Sequence, residues 1–273
     1  MDMPVNQFKR AILSGKTVPY GVWLVSSAPS TAEALGTAGF DFLVVDTEHT
    51  PIEPPQVAEI LRTMAGTPAS AVVRPAWNDM VLVKRLLDAG VQTLLFPFVQ
   101  NAEEAKRAVA YTRYPPEGVR GVAAVQRASR WGNVANYTKT AAAEICVIVQ
   151  IETAAAVEQL PAIAAVPGID SLLVGSSDLS VELGIPGENG HQKIQDAVDK
   201  VVAACRKHRK FPGMGGAYSE ELLSLYIGKG MKLLLAGNDL PMLTGAARAH
   251  QAKVRAMAKA RPARKKAAAK KKR

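Results

Sequence analysis

Cysteine is nearly missing from this chain: 273 residues contain two, Cys146 and Cys205. They stand far apart, in neither a metal-binding nor a redox spacing, so both are expected to be reduced, buried thiols rather than a disulfide. Long apolar runs are missing too. No uncharged stretch reaches the 18 or so residues of a membrane span, and the opening MDMPVNQFKRAILSGK lacks the sustained apolar core of a secretory leader. A cytoplasmic protein with no membrane partner is the expectation.

Acid is absent from one end only. Of the 34 Lys and Arg, 12 lie after residue 240, where there is no Asp or Glu; that leaves 22 bases against 24 acids in residues 1–240. The formal charge of +10 therefore belongs to a basic end, and the body is slightly acidic. Residues 256–273, rich in Ala, Lys and Arg, have no apolar face to bury and read as a disordered tail. A nucleic-acid or polyanion contact through that tail would be non-specific electrostatics; a solubilising appendage is the favoured reading. Residues 1–255 form the folded domain in this division.

Hydrophobic residues make up 48% of the chain, enough for one large core. They fall into eight short runs: GVWLVSS (21–27), FLVVDTE (42–48), SAVVRP (70–75), TLLFPFV (93–99), ICVIVQIE (145–152), SLLVGSS (171–177), FPGMGGA (211–217) and KLLLAGN (232–238). The runs are nearly continuous rather than alternating, as in parallel strands covered on both faces, and helix-period segments separate them. Eight such units in about 240 residues predict an α/β fold, a (β/α)8 TIM barrel. A doubly wound open sheet is disfavoured because no G-x-G-x-x-G follows the first strand. The long connection 111–144, with GVRGVAAVQRASRW, is expected to be functional or interfacial.

Chemistry in a barrel gathers where the strands end. Those ends supply Asp46, Glu48 and His49, then Arg74, Gln150, Glu152 and Asp178. Glu152 and Asp178, with no His or Cys cluster nearby, suit a hard divalent cation that keeps water and substrate oxygens; otherwise they are caps or ion pairs. His49 is the base candidate, with Asp46 to orient it, while strand alternation turns Glu48 away. Arg74 either meets an anionic substrate oxygen or forms an internal ion pair with a barrel carboxylate. No Lys ends a strand, which disfavours Schiff-base chemistry. A metal, a base and an Arg together suit proton transfer next to a carbonyl: aldol cleavage, enolisation or decarboxylation.

VDTEHTP, VVRPAWND, LLDAGVQTLLFPFVQNAEEA, RYPPEGVRG, RASRW, VQIET and GSSDLS, in that order and spacing, resemble the HpcH/HpaI aldolase/citrate lyase family, within it the class II pyruvate aldolases. The resemblance implies retro-aldol cleavage of a 4-hydroxy-2-oxo acid to pyruvate and an aldehyde, dependent on Mg2+, Mn2+ or Co2+. It implies that Glu152 and Asp178 hold the metal, His49 is the base with Asp46 beside it, and Arg74 stabilises the pyruvate enolate. Gln150, Ser177 and Asp178 would contact substrate, and Asp88 would support the histidine from a neighbouring subunit. A homo-oligomer, a hexamer with an exchanged C-terminal helix, is implied as well. GSSDLS and GMGGA depart from the family pattern and bear on aldehyde specificity. The rival readings are a C–C lyase acting on an acyl-CoA, for which the strand ends offer no basic cluster, and a polyanion-binding protein using its tail.

Overall fold

The computed structural model describes residues 1–216 and 218–259. Eight strands lie where the apolar runs predict them: β1 Tyr20–Leu24, β2 Phe42–Asp46, β3 Ser70–Arg74, β4 Thr93–Phe96, β5 Cys146–Ile151, β6 Ser171–Gly175, β7 Phe211–Gly215 and β8 Leu233–Asn238. Each pairs in parallel with the next, and β8 pairs with β1, giving a closed barrel. The expected (β/α)8 barrel is the observed fold.

The helices are α1 Gln7–Ser14, α2 Pro29–Gly36, α3 Pro54–Met64, α4 Met80–Asp88, α5 Ala102–Tyr111, α6 Tyr137–Thr140, α7 Ala154–Glu158, α8 Leu160–Ala164, α9 Ser176–Glu182, α10 Gln192–His208, α11 Glu220–Gly228 and α12 Asp239–Lys259. Their starts follow local chemistry. Glu53 and Gln56 form a reciprocal capping box ahead of α3, and the Asn101 side chain accepts from the Glu104 N–H at the head of α5.

Strand residues divide between two packed layers. Alternate positions such as Val22, Leu43, Val45 and Val73 face the surrounding helices, while Trp23, Phe42, Val44, Val72, Ile148 and Leu173 fill the barrel interior. The segment 7–14, which the sequence marks only as no secretory leader, is α1, and its Phe8 and Ile12 join the interior cluster. Phe8 meets Phe42 edge-on at 5.1 Å. Asn6 anchors the plug: its Nδ2 donates to the Gln92 carbonyl at 3.1 Å, to Thr93 Oγ1 at 3.0 Å and to the Glu144 carbonyl at 3.0 Å. The N-terminal end of the barrel is thereby stoppered, which leaves the opposite end open for chemistry.

The long connection between β4 and β5 is packed. Arg120 within it is fully buried; its Nη2 donates to Asp88 Oδ1 at 2.9 Å, and its guanidinium lies 4.6 Å from the centre of the Tyr114 ring. Cys146 and Cys205 are free and buried, as expected. The chain divides into two compact units, Met1–Asp239 and Leu240 onward. The described part of the second is the rest of α12, exposed along its length. Residues 256–259 of the basic tail lie in this helix, and the remaining tail falls outside the described residues. No helix among the described residues is long and apolar enough to cross a membrane.

Candidate active site

Parallel register decides the first contact. Asp46 and Arg74 end β2 and β3 as register partners, and both are buried. Two parallel hydrogen bonds join them, Arg74 Nε to Asp46 Oδ1 at 2.9 Å and Nη2 to Oδ2 at 2.8 Å. The Trp23 ring lies 4.1 Å from the guanidinium carbon, closing its apolar face. Arg74 is thus held rigidly before any ligand arrives.

A chain of contacts runs outward from it. Arg74 Nη1 sits 2.8 Å from Glu48 Oε2, out of hydrogen-bond alignment, and 3.5 Å from Gln150 Oε1. Gln150 Nε2 donates to Glu152 Oε2 at 2.6 Å, and the Phe98 N–H donates to Glu152 Oε1 at 2.7 Å. Phe98 aims that N–H from a left-handed backbone, φ 52, which is uncommon for a residue with a side chain. Across β6, a Cβ on Gly175 would stand 2.6 Å from Glu152 Oε2; only glycine lets the carboxylate lie there.

Electrostatics single out Glu152. Burial is the largest cause and raises its pKa to about 7; Asp178 and Glu48 push the same way, against the Phe98 N–H and Arg74. Glu48 is also raised, chiefly by burial, with Arg74 and His49 opposing. Asp178 and Ser177 are exposed on the first turn of α9 and line a cavity over the strand ends with Arg74, Gln150 and His49. Asp178 thus disfavours the ionised forms of Glu48 and Glu152, and Glu48 that of Glu152, a strain that a bound cation would remove. Among the described residues no three His, Cys, Asp or Glu side chains form a complete ligand set. Two carboxylates, with the remaining positions left to water and substrate, fit a hard divalent ion and not zinc.

His49 lies at the mouth. β2 ends at Asp46, the Thr50 hydroxyl donates back to the Asp46 carbonyl, and the Glu48 and His49 N–H groups point to Asp46 Oδ1 at 3.0 and 3.4 Å. This turn leaves the His49 side chain 65% exposed, with Nε2 3.7 Å from Glu48 Oε2. Two expectations change here. Asp46 orders the His49 backbone rather than the ring, because Arg74 occupies its carboxylate. Glu48 turns inward, because strand alternation stops two residues before it.

Asp88 is not brought to His49 within the chain. It closes α4 at the barrel end where strands begin, paired with Arg120. The cavity over the strand ends measures about 460 Å³ and is also lined by Asn238, which ends the eighth run, and by Trp23 and Tyr218, which sequence reasoning does not reach. Burial raises the Tyr218 phenol above its ordinary value. Tyr218 follows the glycine-rich end of β7, a stretch that carries no signal for a specific side chain.

Residues 19–212 match the HpcH/HpaI aldolase/citrate lyase family. The chain is 41% identical over 254 residues to the hydroxypyruvate/pyruvate aldolase of Sagittula stellata, covering 92% of this chain and 99% of that one. It is 43% identical over 256 residues to the 4-hydroxy-2-oxo-heptane-1,7-dioate aldolase of Shigella sonnei, covering 93% and 97%. Among solved structures, an HpcH/HpaI aldolase/citrate lyase family protein from Burkholderia cenocepacia J2315 superposes with a TM-score of 0.88 at 37% identity, covering 92% of this chain and all of that one.

Proposed function

Because the chain belongs to the HpcH/HpaI aldolase/citrate lyase family, we propose that it cleaves 4-hydroxy-2-oxo acids to pyruvate and an aldehyde, and joins them in reverse, with a divalent cation as cofactor. It is an enzyme of the pyruvate aldolase type, a carbon–carbon lyase. The observation that carries the reading is the buried ladder Asp46–Arg74–Gln150–Glu152, with His49 at its open end. Glu152 and Asp178 would hold Mg2+, Mn2+ or Co2+, and the ion supplies Lewis-acid stabilisation of the oxo acid when bound.

The chain's own groups do the rest. His49, exposed to the cavity, takes the proton of the 4-hydroxyl; as the C3–C4 bond breaks, its electron pair passes into the pyruvate enolate and the C4–O pair closes the aldehyde carbonyl. Arg74, already fixed by Asp46 and Trp23, places its charge where the enolate oxygen develops. The same imidazole returns the proton to C3. Gln150, Ser177 and Tyr218 border the substrate. A cavity of about 460 Å³ suits a small oxo acid and aldehyde, and gives an acyl-CoA no basic residue for its phosphates beyond Arg74 and His49.

The reading extends to assembly. Leu243, Val254 and Met257, exposed at helical spacing on α12, are apolar groups that a second copy would cover in a hexamer. Asp88 serves His49, in this reading, only from such a neighbour.

The test is pyruvate release from 4-hydroxy-2-oxo acids after chelation, and again after each of the three metals is added back. Activity lost on chelation and restored by metal is the expected result. A folded protein that releases no pyruvate with any of them overturns the proposal.

A further inference from the structure

A second cavity, about 580 Å³, opens at the N-terminal end of the barrel, away from the strand ends that carry Arg74 and Glu152. Its wall holds three arginines, Arg62 from the end of α3 and Arg127 and Arg130 from the β4–β5 connection, and no Asp or Glu. None of the three makes a salt bridge with a described residue. Arg127, half-buried, gives Nη1 to the Ala89 carbonyl at 2.9 Å. Burial pushes its guanidinium below the ordinary value, and Arg62 and Arg130 push the same way with no acid opposing. Three convergent cations without a counter-charge are unfavourable alone, and a planar fork is suited to carboxylate.

One side of the wall is apolar and aromatic, with Leu61, Met64, Val91, Ile145, Tyr137 and Trp131, beside the polar side chains of Gln7, Thr67, Ser70 and Gln92. Arg130 and Trp131 are consecutive left-handed residues, φ 52 and 60. Bonds from Trp131 N to the Gln126 carbonyl at 2.9 Å and from Gly132 N to Ser129 Oγ at 3.0 Å hold this turn. Strained backbone on side-chain-bearing residues persists where its surroundings fix it, often at ligand clamps.

We propose that this cavity is a second binding site, for a small carboxylate with an apolar or aromatic body, gripped by Arg62, Arg127 and Arg130 and walled by Trp131 and Tyr137. Its volume is that of a small-molecule site rather than of a flat docking face. The inference does not depend on the aldolase reading.

Isophthalate is the probe, titrated calorimetrically into the full chain in chelator, with uncharged isophthalamide and inorganic phosphate as comparators. Because Arg74 also attracts carboxylates, Arg74→Gln is titrated beside the double variant Arg62→Gln/Arg130→Gln, whose two positions are exposed. Binding with a Kd under about 1 mM, unchanged in Arg74→Gln and at least about 10-fold weaker in the double variant, supports the site. Three outcomes overturn it: affinity that follows Arg74, no binding in that range, or phosphate binding as tightly as isophthalate. A double variant that changes oligomeric mass by light scattering, with isophthalate affinity intact, also overturns it and makes this face an interface between copies.

Discussion

Glu152 couples the stability of the metal-free protein to pH in a way that can be worked out. Its carboxyl has a pKa of about 7 when folded against 4.5 ordinarily, because it is buried beside Asp178 and Glu48. Between those values the folded chain keeps a proton that the unfolded chain has released. The contribution is therefore fully present below pH 4.5 and is lost as pH rises through about 7. A difference of that size corresponds to about 3 kcal/mol. Glu152→Gln removes the titration and keeps the shape. In urea denaturation with chelator present, the wild type is expected to lose about 3 kcal/mol more than the variant between pH 4.5 and 8. At pH 8, adding Mg2+ or Mn2+ at about a hundred times its dissociation constant should return about 2.7 kcal/mol to the wild type, and nothing to Glu152→Gln. Parallel pH profiles for the two proteins in chelator would refute the reasoning, since the proton would then reside elsewhere.

His49→Ala should leave stability within about 0.5 kcal/mol, because the ring is exposed, while pyruvate release falls by about 10²–10⁴-fold; coupled kinetics and a thermal melt read both. Asp46→Asn strips Arg74 of its bidentate partner but leaves Glu48 Oε2 2.8 Å from Nη1. Destabilisation near the low end for a broken buried pair, about 3 kcal/mol, is expected in urea. Asp88→Asn should cost more, towards about 5 kcal/mol, because Arg120 is wholly buried and, among the described residues, its Nε and Nη1 have no hydrogen-bond partner and Asp88 is the one carboxylate that reaches it. Equal costs for the last two variants would show that burial of the guanidinium does not set the penalty.

All eight strands are legible in the sequence, because a parallel strand covered on both faces must be apolar almost throughout. The strand ends then name Asp46, Arg74, Gln150, Glu152 and Asp178 without further help. What they do to one another is less legible. That Asp46 takes Arg74 rather than the His49 ring depends on the β2–β3 register, in which the two face each other. Glu48 is misjudged because alternation is a property of strand backbone, and β2 stops at Asp46. The Phe98 N–H that reaches Glu152 comes from a positive φ at a phenylalanine, where local preference predicts none. Arg127 and Arg130 lie three residues apart in one connection, but Arg62 lies on α3, and no spacing rule joins it to them. α1 hides because an eight-residue amphipathic segment ahead of the first strand looks like an extension until Phe8 and Ile12 are seen inside the barrel.

That plug orders events during synthesis. Residues 7–14 leave the ribosome more than about 190 residues ahead of Phe211, Leu233 and Leu235, which belong to the surface they fill. At about 5–20 residues per second, the wait is roughly 10–45 s. An isolated helix of eight residues does not persist in water, so the cover on Phe8 and Ile12 stays incomplete until that interval has passed. Closure is then a single late event in which β8 reaches β1 and α1 completes its seat. A nascent chain released before β8 would have neither a closed ring nor a filled end, and would be a client for chaperones or proteases rather than a partly active enzyme.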